Sequence, residues 1–272
     1  MTPLSRIALL LSYEGTDFCG WQMQDPSQTK APSVQKTLQD AARGIFGETI
    51  RFHASGRTDA GVHALGQVAH ADIPSRCLLN TNAHKILRSL NSKLPSTLRV
   101  LKVANVPEAF HAMKSAISKQ YRYRILTGPA DIPIASRFAW HLPYTLNIEQ
   151  MKETLAALVG TFDFKSFQSA GTPLKSTTRT ILSTDLGINA DPFLNPFLSS
   201  DYMALDIRFR GTGFLKQMVR NLVGTLVKVG RGHMSPDEFS SLLEARDRTK
   251  AGVAAPSQGL TLEKVYYSDP LF

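Results

Sequence analysis

Two kinds of hydrophobic spacing alternate along this chain, and they do so twice in the same order. Residues 6–13 (RIALLLSY) form a continuous apolar run closed by Glu14-Gly15, short enough for a buried strand. Ser33 is a good N-cap for a stripe of Val34, Leu38, Ala41, Ala42 and Ile45, one helical face that Gly47 ends. Residues 49–54 alternate as a strand, 66–73 read as a second, and 80–91 carry a helical stripe in Ala83, Ile86, Leu87 and Leu90. Residues 98–106 alternate again. The order is strand, helix, strand, strand, helix, strand, the split βαβ of ferredoxin-like folds.

The same order returns in the second half. Residues 118–127 (SKQYRYRILT) predict a strand and 147–160 a helix. Residues 178–188 and 202–210 predict two strands joined through Pro192 and Pro196, 213–229 a long helix, 235–245 a short capped one, and 262–267 a closing strand. The repeat is one of topology, without residue-level similarity. The expected division is 1–110 and 111–272, with a join near residues 107–114. Two such α+β halves could set their sheets side by side around a central cleft. With 43% hydrophobic residues in 272, the chain has material for a core of this size.

Between two predicted strands lies a stretch that fits neither pattern, residues 56–70 (GRTDAGVHALGQVAH). It holds three glycines, an arginine, two histidines and one carboxylate, Asp59. On the residues alone there are two readings. T-D-A-G is a turn, with Asp59 bonding its own backbone and Gly61 supplying positive φ. Alternatively, donors in Ser55, Arg57, Thr58, His63 and Gln67 gather round one acid to hold an anion or a polar substrate, in a loop that a sheet holds at both ends.

Two positions in the second half carry similar alternatives. Arg220 lies at the edge of an apolar helical stripe that includes Leu222, one turn from Lys216. Either its stem covers the core while its head reaches water, or it is aimed inward to pair with a carboxylate. Tyr121 and Tyr123 alternate with Arg122 and Arg124. They are core aromatics backed by solvated arginines, or a strand that stacks a base and contacts phosphates.

Lys plus Arg number 31 against 22 Asp plus Glu, a net charge of +9, which fits a polyanionic partner as well as a merely basic enzyme. Cys19 and Cys77 show no CxxC or Cys/His spacing, and His63, His70, Asp59 and Asp72 lack a ligand pattern, so no metal is expected. There is no P-loop and no GxGxxG, so no cofactor is expected either. The N-terminus does not read as a signal peptide, and no apolar run approaches the ~20 residues of a membrane span, so a cytoplasmic protein without a membrane partner is expected.

The motif at 56–70 closely resembles the central motif of the tRNA pseudouridine synthase A family. YEGTDFCGWQ, SVQKTLQDA, LNSKLP, FHA at Phe110, KQYRYRI, FDFKSF, GFLKQMVRNLVGTLVKVG and DRTKAGVAAPSQGLTL follow in the family's order over nearly the whole chain. The resemblance implies one continuous, mainly antiparallel sheet, with Asp59 as nucleophile and Arg220 pairing with it. It implies Tyr121 as the tyrosine that stacks on substrate, Leu222 packing beneath uracil and tyrosine, and Arg57 contacting RNA beside the target nucleotide. It further implies a homodimer that converts uridines at positions 38 to 40 in the anticodon arm of tRNA. Met113-Lys114 and Lys216-Gln217 depart from the family's usual residues, at points where RNA contacts would fall.

Such a reaction cuts the N-glycosidic bond, turns the base and rejoins it through C5, an isomerisation that needs no outside group. The base must leave its stack, at about a few kcal/mol, and stacking on Tyr121 would return ~1–3 kcal/mol. Attack by Asp59 on ribose C1′, attack on C6 and removal of a ribose proton all remain open. Two other classes compete: a non-catalytic RNA-binding module, and a metal-dependent phosphoesterase using Asp59 and the histidines. A chelator separates the last. Turnover should persist in EDTA, whereas loss reversed by added metal would select the phosphoesterase.

Overall fold

The computed structural model describes residues 4–25, 27, 29–79, 82–171, 175–188 and 201–272. Among these are ten strands and six helices, and the strand pairing is mostly antiparallel, with the fifth and sixth strands parallel. The fold is α+β, as the periodicity predicts. It divides into two compact units, Met1–Ser118 with Leu262–Phe272, and Lys119–Thr261.

The first unit is built on β1 (Leu4–Tyr13), which pairs on one side with β3 (His63–Pro74) and on the other with β4 (Leu98–Asn105). β2 (His53–Ala54) adds to β3, and β10 (Leu260–Tyr266) is β3's other neighbour. α1 (Val34–Phe46) starts where the Ser33 side chain accepts from the Lys36 N–H and ends at Gly47, whose φ of 75° glycine adopts without strain. α2 (Arg76–Leu79) is one turn. α3 (Ala83–Lys93) is capped by Asn82, which accepts from the Lys85 N–H. Leu38, Ala42, Ile86 and Leu90 are buried with Ile7, Leu9 and Leu11 of β1.

Three details differ from the expectations. The strand predicted over 49–54 is only two residues, and β3 begins at His63 rather than 66, so the loop is confined to 55–62. The final strand, read as closing the second half, belongs from Leu262 onward to the first unit. Gly66 shows why: a Cβ there would strike the Glu263 carbonyl, so β10 lies against a strand stripped of side-chain bulk. Beyond it, Tyr267 donates its hydroxyl proton to the Ala112 carbonyl at 2.7 Å, and Ile117 N–H donates to Tyr266 O at 2.8 Å.

In the second unit β5 (Ser118–Thr127), β9 (Met203–Gly211), β8 (Thr178–Ile188) and β7 (Gly160–Asp163) lie in that order, with β6 (Trp140–Leu142) parallel to β5. β6 and β7 lack a periodic signal because each is too short to show one. The predicted loop through Pro192 and Pro196 lies outside the described residues. α4 (Ile148–Ala157), α5 (Met218–Gly230) and α6 (Pro236–Ala245) complete the unit. α6 opens with a capping box, Ser235 accepting from the Glu238 N–H and Glu238 accepting from the Ser235 N–H. Met151, Leu155, Leu222, Val223, Leu226 and Phe239 are buried.

The two faces of β5 and β9 differ sharply. Register places Tyr121 against Phe209 and Tyr123 against Ile207 on the apolar face, and Arg122 against Arg208 and Arg124 against Asp206 on the other. Asp206 is 1% exposed. Arg124 holds it through two bonds, 2.8 and 3.1 Å, with Arg208 at 3.4 Å and Arg122 at 4.0 Å. Burial pushes this carboxyl up, but Arg124, Arg122 and Arg208 outweigh it and leave the group below its ordinary value. Arg122, Arg124 and Arg208 are thus gathered on one buried acid.

The first unit carries a pH-sensitive tie. His70, 3% exposed, accepts from the Ala112 N–H through Nδ1 at 3.1 Å and lies against His53 and His111, with ring centroids 5.2 and 4.6 Å away. Burial, then His111, His53 and Arg6, push its pKa down to about 4, against a smaller opposing effect of Asp72. A histidine harder to protonate folded than unfolded costs nothing above about pH 6.5 and costs progressively more as pH falls toward the folded value. Melting temperature should therefore drop between about pH 7 and about pH 5, and His70→Gln should flatten that part of the profile. A wild-type profile with no slope in this window removes the tie.

Candidate active site

Asp59 opens a turn. The Val62 N–H donates to its carbonyl at 3.2 Å, and Gly61, third in the turn, has φ of 76°. A turn with positive φ at Gly61 is thus present, closed through the Asp59 main-chain carbonyl. The residue is half-buried, while Arg57 beside it is exposed.

The support for this loop comes from residues 15–22, which carry neither helical nor strand periodicity. Trp21 N–H donates to Thr58 O at 3.0 Å, and Gly61 N–H donates to Phe18 O at 3.3 Å. Gly20, at φ 101°, lies so close that a Cβ would sit 2.6 Å from Thr58 O, and a Cβ on Gly15 would strike Val62 O. Gly15 N–H donates to His63 Nδ1 at 2.9 Å. The Glu14 carboxylate lies 3.9 Å from the same ring nitrogen. The glycines in YEGTDFCGW were the available signal, since close backbone approach is one of few reasons to need them.

Beneath the loop, Tyr13 and Thr58 share a hydrogen bond of 2.8 Å, and Gln67 bonds Ser55, the Gly56 carbonyl and Tyr13. Burial pushes the Tyr13 hydroxyl up to about 12, with the Thr58 and Gln67 bonds opposing it, so it stays a phenol. Gln67 and Thr58 were noted as donors; Tyr13, at the end of an apolar run, was not.

The second unit holds Tyr121, Arg220 and Leu222. Tyr121 is buried, its ring edge-on to Phe214 with centroids 5.1 Å apart. Leu222 is fully buried in α5. α5 begins five residues later than predicted, at Met218, because Gln217 has left-handed backbone (φ 57°). Lys216 is thus outside the helix, its ammonium donating to Ala170 O at 2.8 Å, rather than one helical turn from Arg220.

Arg220 is half-buried and oriented by its own unit. Its Nε donates to Ala255 O at 2.7 Å, and its carbonyl accepts from the Ala255 N–H at 3.0 Å. Arg248 reinforces this strap through Gly252 O at 2.8 Å and Asn221 Oδ1 at 2.9 Å. The strap can approach because α5 has a glycine there: a Cβ at Gly224 would overlap Val253 O. Burial drives the nearby Tyr123 hydroxyl far up, the Arg220 charge opposing, and that hydroxyl donates to Pro256 O at 2.8 Å.

The sequence profile of the family described as tRNA pseudouridine synthase matches residues 10–113 and 155–268. The chain belongs to this family. It is an enzyme of tRNA modification, a pseudouridine synthase that isomerises uridine. Curated relatives named tRNA pseudouridine synthase A include one from Oleidesulfovibrio alaskensis, 41% identical over 98% of both chains. One from Maridesulfovibrio salexigens is 42% identical over 98% of this chain and 92% of its own. One from Geobacillus kaustophilus is 40% identical over 97% and 95%. A chain of a solved Cbf5-Nop10-Gar1 complex aligns with 96% of this chain and 50% of its own at 10% identity, and its TM-score of 0.35 is too low to bear on the fold. Among the described residues no His, Cys, Asp and Glu are grouped to hold a metal ion, and no helix is long and apolar enough to cross a membrane.

Gly224→Ala should separate the strap from α5. Overpacking of this kind costs about 1–3 kcal/mol or more, and turnover should fall with it as Arg220 loses both Ala255 bonds. Chemical denaturation and a turnover assay check this; wild-type stability in Gly224→Ala would mean the crossing relaxes freely.

Proposed function

We propose that Asp59 is the nucleophile of uridine-to-pseudouridine conversion in the anticodon arm of tRNA, at positions 38 to 40. The observation that carries this reading is the loop itself. In a chain of this family it offers one carboxylate within residues 56–70, half-buried, at the start of a turn whose backbone is bonded on both sides. The family resemblance assigns the other roles. Arg220 pairs with the carboxylate, favouring its ionised form and fixing its direction. Tyr121 stacks on the flipped base, Leu222 lies beneath it, and exposed Arg57 contacts the RNA next to it. The reading includes a homodimer acting in the cytoplasm, without a membrane or metal partner.

Asp59 would act on the reacting nucleotide as a carboxylate. The N1–C1′ bond breaks, the base turns while stacked, and C5 bonds to C1′; the C5 proton leaves to solvent and N1 takes one up. The net charge of +9 supports RNA binding, though Arg122, Arg124 and Arg208 already surround Asp206. Phosphate contacts by the remaining cations make affinity fall as salt rises.

Release of tritium from tRNA labelled at uridine C5 reports the new bond. Asp59→Asn should lower it by a factor on the order of 10³ or more while tRNA binding survives. Retained turnover in Asp59→Asn would sink the assignment. Binding without tritium release in the wild type would leave only an RNA-binding module.

A further inference from the structure

Four polar side chains in and beneath the Asp59 loop are buried. Gln67 and Ser55 are 0% exposed, Tyr13 3% and Thr58 6%. They form one chain of bonds. Ser55 Oγ donates to Gln67 Oε1 at 2.7 Å, and Gln67 Nε2 donates to Gly56 O at 2.9 Å and to the Tyr13 hydroxyl at 3.4 Å. Tyr13 in turn bonds Thr58 Oγ1 at 2.8 Å. The chain ends on the residue covalently bound to Asp59.

Its effect on Asp59 follows from the backbone. The Thr58 carbonyl is held by Trp21 N–H, and the Thr58 side chain by Tyr13. The Asp59 carbonyl is held by Val62 N–H, and the next amide but one, Gly61 N–H, by Phe18 O. The peptide groups before and after the Asp59 Cα are both tied, so its φ and ψ, and hence the direction of its Cα–Cβ bond, are set. Only side-chain torsions remain free. A reacting group must be placed to within about 0.5 Å.

We propose that Thr58, held through its hydroxyl by Tyr13, which Gln67 in turn bonds, is the positioning residue that aims Asp59 at the nucleotide. The inference rests on Asp59 being the nucleophile. Thr58 and Tyr13 act from below the loop, without contact with RNA, so their loss appears in the chemical step and not in binding.

The test measures single-turnover tritium release and tRNA affinity in parallel. Thr58→Val keeps the shape of the side chain and removes its hydroxyl, and Tyr13→Phe removes one oxygen. Each should slow turnover roughly 10- to 100-fold, as a displacement near 1 Å does, with tRNA affinity unchanged. Thr58→Ser, which keeps the hydroxyl, should restore most of the rate. The double variant Tyr13→Phe/Thr58→Val should be no slower than the slower single one, because one bond is lost in all three. Wild-type turnover in folded Thr58→Val or Tyr13→Phe overturns the proposal, as does Thr58→Ser as slow as Thr58→Val, or losses that multiply in the double variant. If Thr58→Val fails to fold, Tyr13→Phe decides alone. Asp59→Asn run beside them separates the two ideas. Turnover in Asp59→Asn defeats the nucleophile reading itself, whereas an inactive Asp59→Asn with fully active Thr58→Val and Tyr13→Phe defeats only the positioning role.

Discussion

The first unit depends on a single amide side chain kept wholly from water. Gln67 lies inside β3 with both ends of its amide satisfied, by Ser55, Gly56 O and Tyr13. A buried polar group left without partners costs about 1–3 kcal/mol. Moving the loop away from β3 would strand Gln67, Ser55 and the Gly56 carbonyl together, so the loop is a firm part of the sheet despite its glycines. The glycines serve close approach instead. Gly15 and Gly20 let residues 15–22 lie on the loop from outside while the polar chain grips it from within.

The second unit reaches a comparable rigidity by other means. Arg220 is oriented by two bonds to Ala255, on a strap that crosses α5 only where Gly224 removes a side chain. On the sheet's other face, three arginines converge on Asp206. That arrangement alters how the positive charge of the chain should be read. Formal charge counts every arginine equally, yet one of these three positive charges is offset by a buried acid, so the field is set by where the cations stand and not by their number alone. For an isomerisation that brings in no outside group, placement of a few side chains is most of what the protein has to supply.

Much of the fold was legible because periodicity is local. β1, β5, β8, β9 and helices α1, α3, α4 and α6 stand close to where their apolar spacing put them. β6 and β7, three and four residues long, were not, since so few positions carry no period. The start of α5 was missed because a left-handed Gln217 leaves no mark in hydropathy. At the candidate site, Asp59, Arg57, Tyr121, Arg220 and Leu222 were all singled out by residue type and motif. Tyr13 and residues 15–22 were not recognised as support, because what they hold is backbone some forty residues away.

Sequence alone indicated the longer elements in their order, the family and the residue types able to do chemistry, all properties of neighbouring positions or of a motif's wording. Tertiary structure decided that the strand from Leu262 joins the first unit, that the arginines of β5 and β9 face a carboxylate, and that Asp59 sits in a turn tied on both sides. Each of these is a matter of which distant group comes within hydrogen-bond or van der Waals reach. Spacing along a chain does not encode that distance; packing sets it.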